Sequence, residues 1–269
     1  MRSKINRRRK IFKRVPWLKF AVPIILIFFV ILGVSGTFKR FSGETEVIVP
    51  AAPMSIQPEV PERIFRGNLI GKKLVALTFD DGPSSATTMR LLDILKEKKA
   101  IATFFELGGM ARNHPEITRR AAQEGHEVGS HTMWHQNLIA VSRSAAEGDI
   151  NEAKAVFREI LGEEPKLTRM PYGNSNAFTA SVAGTPLVYW SIDTRDWESK
   201  NADSVTEIAV SRAYDGAIIL MHDIYDSTVD AVPRIIDQLR NEGFEFVTVS
   251  ELAELKGEEL KNGETYVDF

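Results

Sequence analysis

The chain has 269 residues, 43% of them apolar and 26% charged, the composition of a globular protein with room for one large domain and accessory segments. It contains no cysteine, which excludes disulfides and thiolate metal sites and leaves only nitrogen and oxygen ligands for any metal. A net charge of −2 hides an asymmetry: residues 1–40 carry 11 Lys and Arg and no acid, leaving 23 basic against 36 acidic residues beyond them, a balance that argues against nucleic-acid binding by the body.

Residues 1–19 form a basic tail containing Arg7, Arg8, Arg9, Lys10, Lys13, Arg14 and Lys19. Residues 20–38 come next, without a single charge. As a helix they would span about 28 Å, close to the hydrocarbon thickness of a bilayer. The positive flank keeps the tail in the cytoplasm and places the chain beyond residue 38 outside. The expectation is a single-pass membrane anchor. A cleaved signal sequence is the alternative, and the lack of an Ala-x-Ala site favours the anchor. Residues 39–66, with Pro50, Pro53, Pro58 and Pro61, read as an extracellular linker.

From residue 67 to 269 the pattern is that of an α/β domain. Short apolar runs at 74–79, 102–105, 128–130, 187–192, 217–221 and 244–249 read as buried strands. Amphipathic stretches at 87–98, 115–124, 145–161, 205–212 and 229–241 read as helices between them. Gly125, Gly216 and Gly243 are placed to cap helix C-termini. Such alternation implies a parallel sheet, closed or open, with its site at the C-terminal ends of the strands.

Five polar clusters fall there. Thr78-Phe79-Asp80-Asp81-Gly82-Pro83 puts two carboxylates at a strand end, where they repel unless a cation compensates. His131-Thr132-Met133-Trp134-His135 spaces two imidazoles so that a helical turn would aim both at one divalent metal. Arg169-Met170-Pro171-Tyr172-Gly173 offers a guanidinium to orient a carboxylate and a backbone N–H for an oxyanion. Trp190 to Trp197 sets two tryptophans beside Asp193 and Asp196, a wall suited to a sugar ring. Leu220-Met221-His222-Asp223 ends another apolar strand. Each cluster alone also has a bland reading as a turn, a core aromatic or a structural histidine; in series, they supply ligands, base, acid and substrate wall. His114 and His126 read as structural or surface residues.

These five clusters, in this order, resemble carbohydrate esterase family 4, the polysaccharide deacetylases with a NodB-homology domain, over roughly residues 68–255. Within the family the chain looks most like peptidoglycan N-acetylglucosamine deacetylases of Gram-positive bacteria. The resemblance implies a distorted (β/α) barrel of parallel strands. It implies that Asp81, His131 and His135 bind a divalent metal, zinc first, with cobalt or manganese as alternatives. Asp80 would be the general base, held by Arg169. His222 would be the general acid, with Asp196 as its partner. The Tyr172 N–H would bind the oxyanion, and Trp190 and Leu220 would line the acetyl pocket. No catalytic position departs from the family pattern; Met170 occupies a variable one. The implied partners are a cell-wall polysaccharide and the membrane, with no nucleic acid, and the expected state is a monomer facing the wall. Other N-acetylated glycans (N-acetylmuramic acid, chitin), O-acetylated xylan, and a wall-binding module without catalysis are the competing readings.

Overall fold

The computed structural model describes Leu69 and residues 71–269. The tail, anchor and linker expected over residues 1–66 lie outside the described residues. Among the described residues no helix is long and apolar enough to cross a membrane.

In chain order the elements are β1 (Lys73–Asp80), α1 (Thr88–Lys98), β2 (Thr103–Glu106), α2 (Gly108–Asn113), α3 (Pro115–Gln123), β3 (Glu127–Ser130) and α4 (Arg143–Leu161). A single 3-10 turn, Pro171–Gly173, leads to α5 (Ala177–Ala183), β4 (Leu187–Val188), β5 (Ile192–Asp193), α6 (Asp196–Ser199) and α7 (Ala202–Arg212). The chain then forms β6 (Ala217–His222), α8 (Asp226–Asn241), β7 (Phe244–Phe246), α9 (Val249–Lys256) and β8 (Thr265–Tyr266).

All pairings between these strands are parallel. The main sheet runs β3-β2-β1-β6-β5, with β7 beside the first residues of β1. Beyond β3, Ser130 bridges Thr168, and Thr168 bridges Leu187 of β4. Because β4 and β5 belong to one stretch of chain, residues 187–193, the path of pairings returns to β6 and β1. The strands therefore present their C-terminal ends together on one side.

Alternation along the strands decides what faces what. On β1, Val75, Leu77 and Phe79 pack outward against α1, α7 and α8 in the largest apolar cluster. Leu74 and Ala76 point the other way, into a second cluster with Phe105, Val188 and Ile218. Thr78 and Asp80 continue that inner row by period two. On β6, Ile219 and Met221 join the outer cluster, so Ile218, Leu220 and His222 share the inner face. The inner rows of β1 and β6 thus end in polar residues, Asp80 and His222, at the same side of the fold.

The five expected helices are present, each within three residues at both ends, with α7 and α8 both starting three residues early. Sequence reading passed over α2, which begins with two glycines and has poor helix propensity, and α5. It also ran the last strand to 249. The strand stops at Phe246, and a capping box between Thr248 and Glu251 starts α9, a signal legible in Thr-x-x-Glu. The run 187–192 is interrupted rather than continuous. Gly216 is not a helix cap: it lies beyond the end of α7 at φ 103°, and a side chain there would meet the carbonyl of Phe269.

Candidate active site

Asp80 and His222 are register partners on neighbouring strands, β1 and β6. The next residue, Asp81, turns out of the strand at φ 75°, so that both consecutive carboxylates line the same cavity. Behind the turn, Thr88 donates to Asp223 Oδ2 at 2.5 Å and accepts from the Ser84 N–H at 2.7 Å. Asp223 is fully buried against the Cα of Gly82. Burial, with the charge of Asp81 adding, pushes its carboxyl up to about 7 against the hydrogen bond from Thr88. Glu106, also buried, is pushed up to about 8, with desolvation outweighing its bond from Thr118.

His131 comes directly after β3. Its N–H donates to the Glu106 carbonyl at 2.8 Å, and its Nδ1 lies 2.7 Å from the Arg169 carbonyl. A carbonyl can only accept, so Nδ1 carries the proton and Nε2 is left with a free lone pair. Burial lowers the pKa of His131 against the pull of Asp80 and Asp81, which favours this neutral form. His135 comes to the same point by a loop rather than the helical turn expected from the spacing. Residues 131–135 contain no helix, and Thr132 and His135 have φ of 70° and 54°.

The result is a compact donor set. The Nε2 atoms of His131 and His135 lie 3.5 and 3.3 Å from Asp81 Oδ1, and one ligand atom from each residue falls within 4.8 Å of the others. Asp81 Oδ1 is buried without a hydrogen-bond partner. Two imidazole lone pairs and an unpartnered carboxylate oxygen turned toward one another fit a divalent cation, as do nitrogen and oxygen donors in a chain without thiols.

Arg169 is fully buried. It donates to Asp80 Oδ1 at 2.7 Å, to Thr78 Oγ1 at 2.8 Å, and to the carbonyls of Val188 and Tyr189 at 3.0 and 2.7 Å. Its guanidinium also stacks over Phe105, 4.1 Å from the ring centre. A fork of fixed donors is needed for this; an ammonium could not make the set. Tyr172, in the 3-10 turn, takes φ 61°, and its ring meets His135 edge-on at 4.6 Å.

Asp196 opens α6 beneath His222. Its Oδ1 accepts from His222 Nδ1 at 2.8 Å and Trp197 N–H at 2.9 Å; its Oδ2 accepts from His222 N–H and Thr228 Oγ1, both at 2.7 Å. Burial would lower the pKa of His222, but the bond and charge of Asp196, helped by Asp80 and Asp81, raise it to about 9.

These parts enclose a cavity of about 420 Å³. Of the expected residues, Asp80, Asp81, His131, His135, Tyr172, Trp190, Leu220 and His222 line it, while Arg169 and Asp196 stand behind as partners of Asp80 and His222. Asp193, Trp197 and Tyr225 line it too. Trp197 is legible in the sequence as a wall residue, but Tyr225 sits in a loop after β6 whose path no sequence pattern signals. His126 is buried and its Nδ1 accepts the Ala102 N–H at 3.2 Å, a structural role; His114 precedes α3, away from the cavity.

Comparison with known proteins agrees with this geometry. Residues 69–185 match the family described as polysaccharide deacetylase. The peptidoglycan-N-acetylglucosamine deacetylase PgdA of Listeria monocytogenes is 42% identical over 217 residues, 80% of this chain but 45% of that protein. The peptidoglycan-N-acetylmuramic acid deacetylase PdaC of Bacillus subtilis is 40% identical over 185 residues, again 40% of its length; its solved structure aligns with a TM-score of 0.68, covering 70% of this chain and 93% of the solved one. This chain therefore spans less than half the length of those two relatives. A peptidoglycan-N-acetylglucosamine deacetylase of Bacillus cereus is 39% identical over 193 residues, and there the match takes in 90% of the relative. A match of that identity across nearly the whole of a relative makes this chain a member of the polysaccharide deacetylase family.

Proposed function

We propose that the chain is a metal-dependent N-deacetylase of cell-wall glycan, acting first on N-acetylglucosamine of peptidoglycan and releasing acetate. The observation that carries this reading is the pairing of two reactive groups across one cavity: Asp80 held by Arg169, and His222 held by Asp196, beside the Asp81–His131–His135 donor set. Retained catalytic pairs of this kind disfavour a binding module without chemistry.

Asp81, His131 and His135 would hold the metal, zinc first, with cobalt or manganese as alternatives. When bound, it supplies Lewis-acid polarisation of the acetyl carbonyl and of water. Arg169 occupies one oxygen of Asp80 and keeps the other turned into the cavity, where it takes a proton from the attacking water. As the water oxygen bonds to the acetyl carbon, the Tyr172 N–H donates to the developing oxyanion. Trp190 and Leu220 enclose the acetyl methyl. His222, with Nδ1–H donated to Asp196, presents Nε2 to the cavity and gives its proton to the sugar nitrogen as the C–N bond breaks. The products are acetate and a free amine left on the polymer.

We read the closed path of strand pairings as the distorted (β/α) barrel expected of the family. The chain works as a monomer, anchored through residues 20–38 with residues 39–66 as linker and the domain of 67–269 facing the wall. N-acetylmuramic acid is the second reading, favoured by the likeness to PdaC. Mass spectrometry of muropeptides from treated peptidoglycan tests both. Loss of acetyl from glucosamine supports the first reading and loss from muramic acid the second, while unchanged sugars reject both.

A further inference from the structure

We propose that Asp149, on α4, is a positioning residue for the metal: its carboxylate sets the path of the 131–135 loop and thereby the aim of His135. This rests on the reading of Asp81, His131 and His135 as metal ligands.

The buried stripe of α4 contains Ala146, Ile150, Ala153, Val156 and Phe157, and Asp149 lies within it, 5% exposed. A carboxylate in such a stripe is costly without partners, and among the described residues no Lys or Arg pairs with it. Its partner is the loop instead: Asp149 Oδ1 accepts the Met133 N–H at 2.7 Å.

The two histidines differ in what holds them. His131 is fixed by its own surroundings, through its N–H on Glu106 and its Nδ1 on Arg169. His135 has no such bond to its Nδ1 among the described residues, and its ring meets Asp81, the His131 ring and the edge of Tyr172. Its position therefore depends on the backbone that precedes it. That backbone is clamped on both sides. The carbonyls of Thr132 and Met133 accept from Gly108 and Gly109 at 2.8 and 3.1 Å, while the Met133 N–H goes to Asp149. The clamp holds a loop that must keep Thr132 and His135 at positive φ, a conformation that non-glycine residues adopt at a cost. The loop bond from a rigid helix thus does for His135 what the Arg169 carbonyl does directly for His131.

The test uses the full chain in detergent, stripped of metal, with zinc titrated against a competing fluorescent indicator and circular dichroism of the metal-free protein. Asp149→Leu should weaken zinc binding by about 10–100-fold, the range for loss of a partner that orients a ligand, with the metal-free spectrum unchanged. Asp149→Asn keeps an acceptor oxygen and should stay within about threefold of the parent. Parental affinity in a folded Asp149→Leu chain overturns the proposal, and so does a loss in Asp149→Asn beyond about tenfold. If the leucine variant does not fold, the asparagine variant decides by the same limits. Absence of zinc binding by the parent would count against the metal reading itself.

Discussion

Arg169 and Asp80 form an ion pair of 2.7 Å in which both side chains are buried. Thr78 shares the same guanidinium nitrogen, because period two on β1 puts it on the inner face with Asp80. Removing the cation would strand a carboxylate in the interior. Arg169→Met should therefore lower stability by about 3–5 kcal/mol, the range for breaking a buried pair. Arg169→Lys should recover part of that and little activity, since one ammonium cannot replace four directed bonds. Urea unfolding alongside turnover of both variants checks this.

Asp80→Asn should leave metal affinity near that of the parent and cut kcat by about 10²–10⁴-fold, the contribution of a placed base. The amide still accepts from Arg169 but cannot take a proton. Metal titration and acetate release on the same preparation separate the two effects. Turnover near that of the parent would reject Asp80 as the base.

As the proposed acid, His222 should give the site an alkaline limit. It holds its proton up to about 9 in the fold, against an ordinary 6.5. The acid form is present below that value, so kcat/KM should fall as pH rises through about 9. The same shift stabilises the fold fully below about 6.5, and that contribution is lost as pH climbs through about 9. Asp196→Asn keeps an acceptor oxygen but removes the charge that does most to raise the value, leaving burial opposed by the charges of Asp80 and Asp81. The alkaline limb of the pH–rate profile should move toward acid, and stability should lose most of this pH dependence.

Gly82 has no room for a methyl group. A Cβ there would lie 2.2 Å from Asp223 Oδ2, so the turn carrying Asp81 would have to shift. Gly82→Ala should cost about 1–3 kcal/mol, as overpacking does, and weaken metal binding. Gly82→Ala combined with Asp223→Gly should restore both in part, read by thermal unfolding and metal titration.

The places of Asp80 and His222 are legible because each closes an apolar run at a strand end, after Leu74 to Phe79 and Ala217 to Met221. Period two then tells which residues share the inner face, Thr78 with Asp80 and Leu220 with His222. What joins residues far apart in sequence was not legible from pattern. The bond of Asp149 to Met133 crosses from a helix to a loop, and the burial of Asp223 under Gly82 depends on two turns meeting. The His131–His135 spacing suggested a helical turn, but positive φ at Thr132 and His135 solves the same geometry with a loop. Spacing suggests that two imidazoles meet and leaves open the path between them. The break between β4 and β5 has a similar origin: residues 187–193 serve Thr168 and β8 at one end and β6 at the other, a demand set by neighbours distant in the chain.

The most direct measurement is acetate release from peptidoglycan by the purified chain, with and without a chelator, and then with single additions of zinc, cobalt or manganese. Release that stops with chelator and returns with one of these ions is the predicted result. Undiminished release from a chain shown to be metal-free, or none from peptidoglycan when the metal site is filled, would contradict the account.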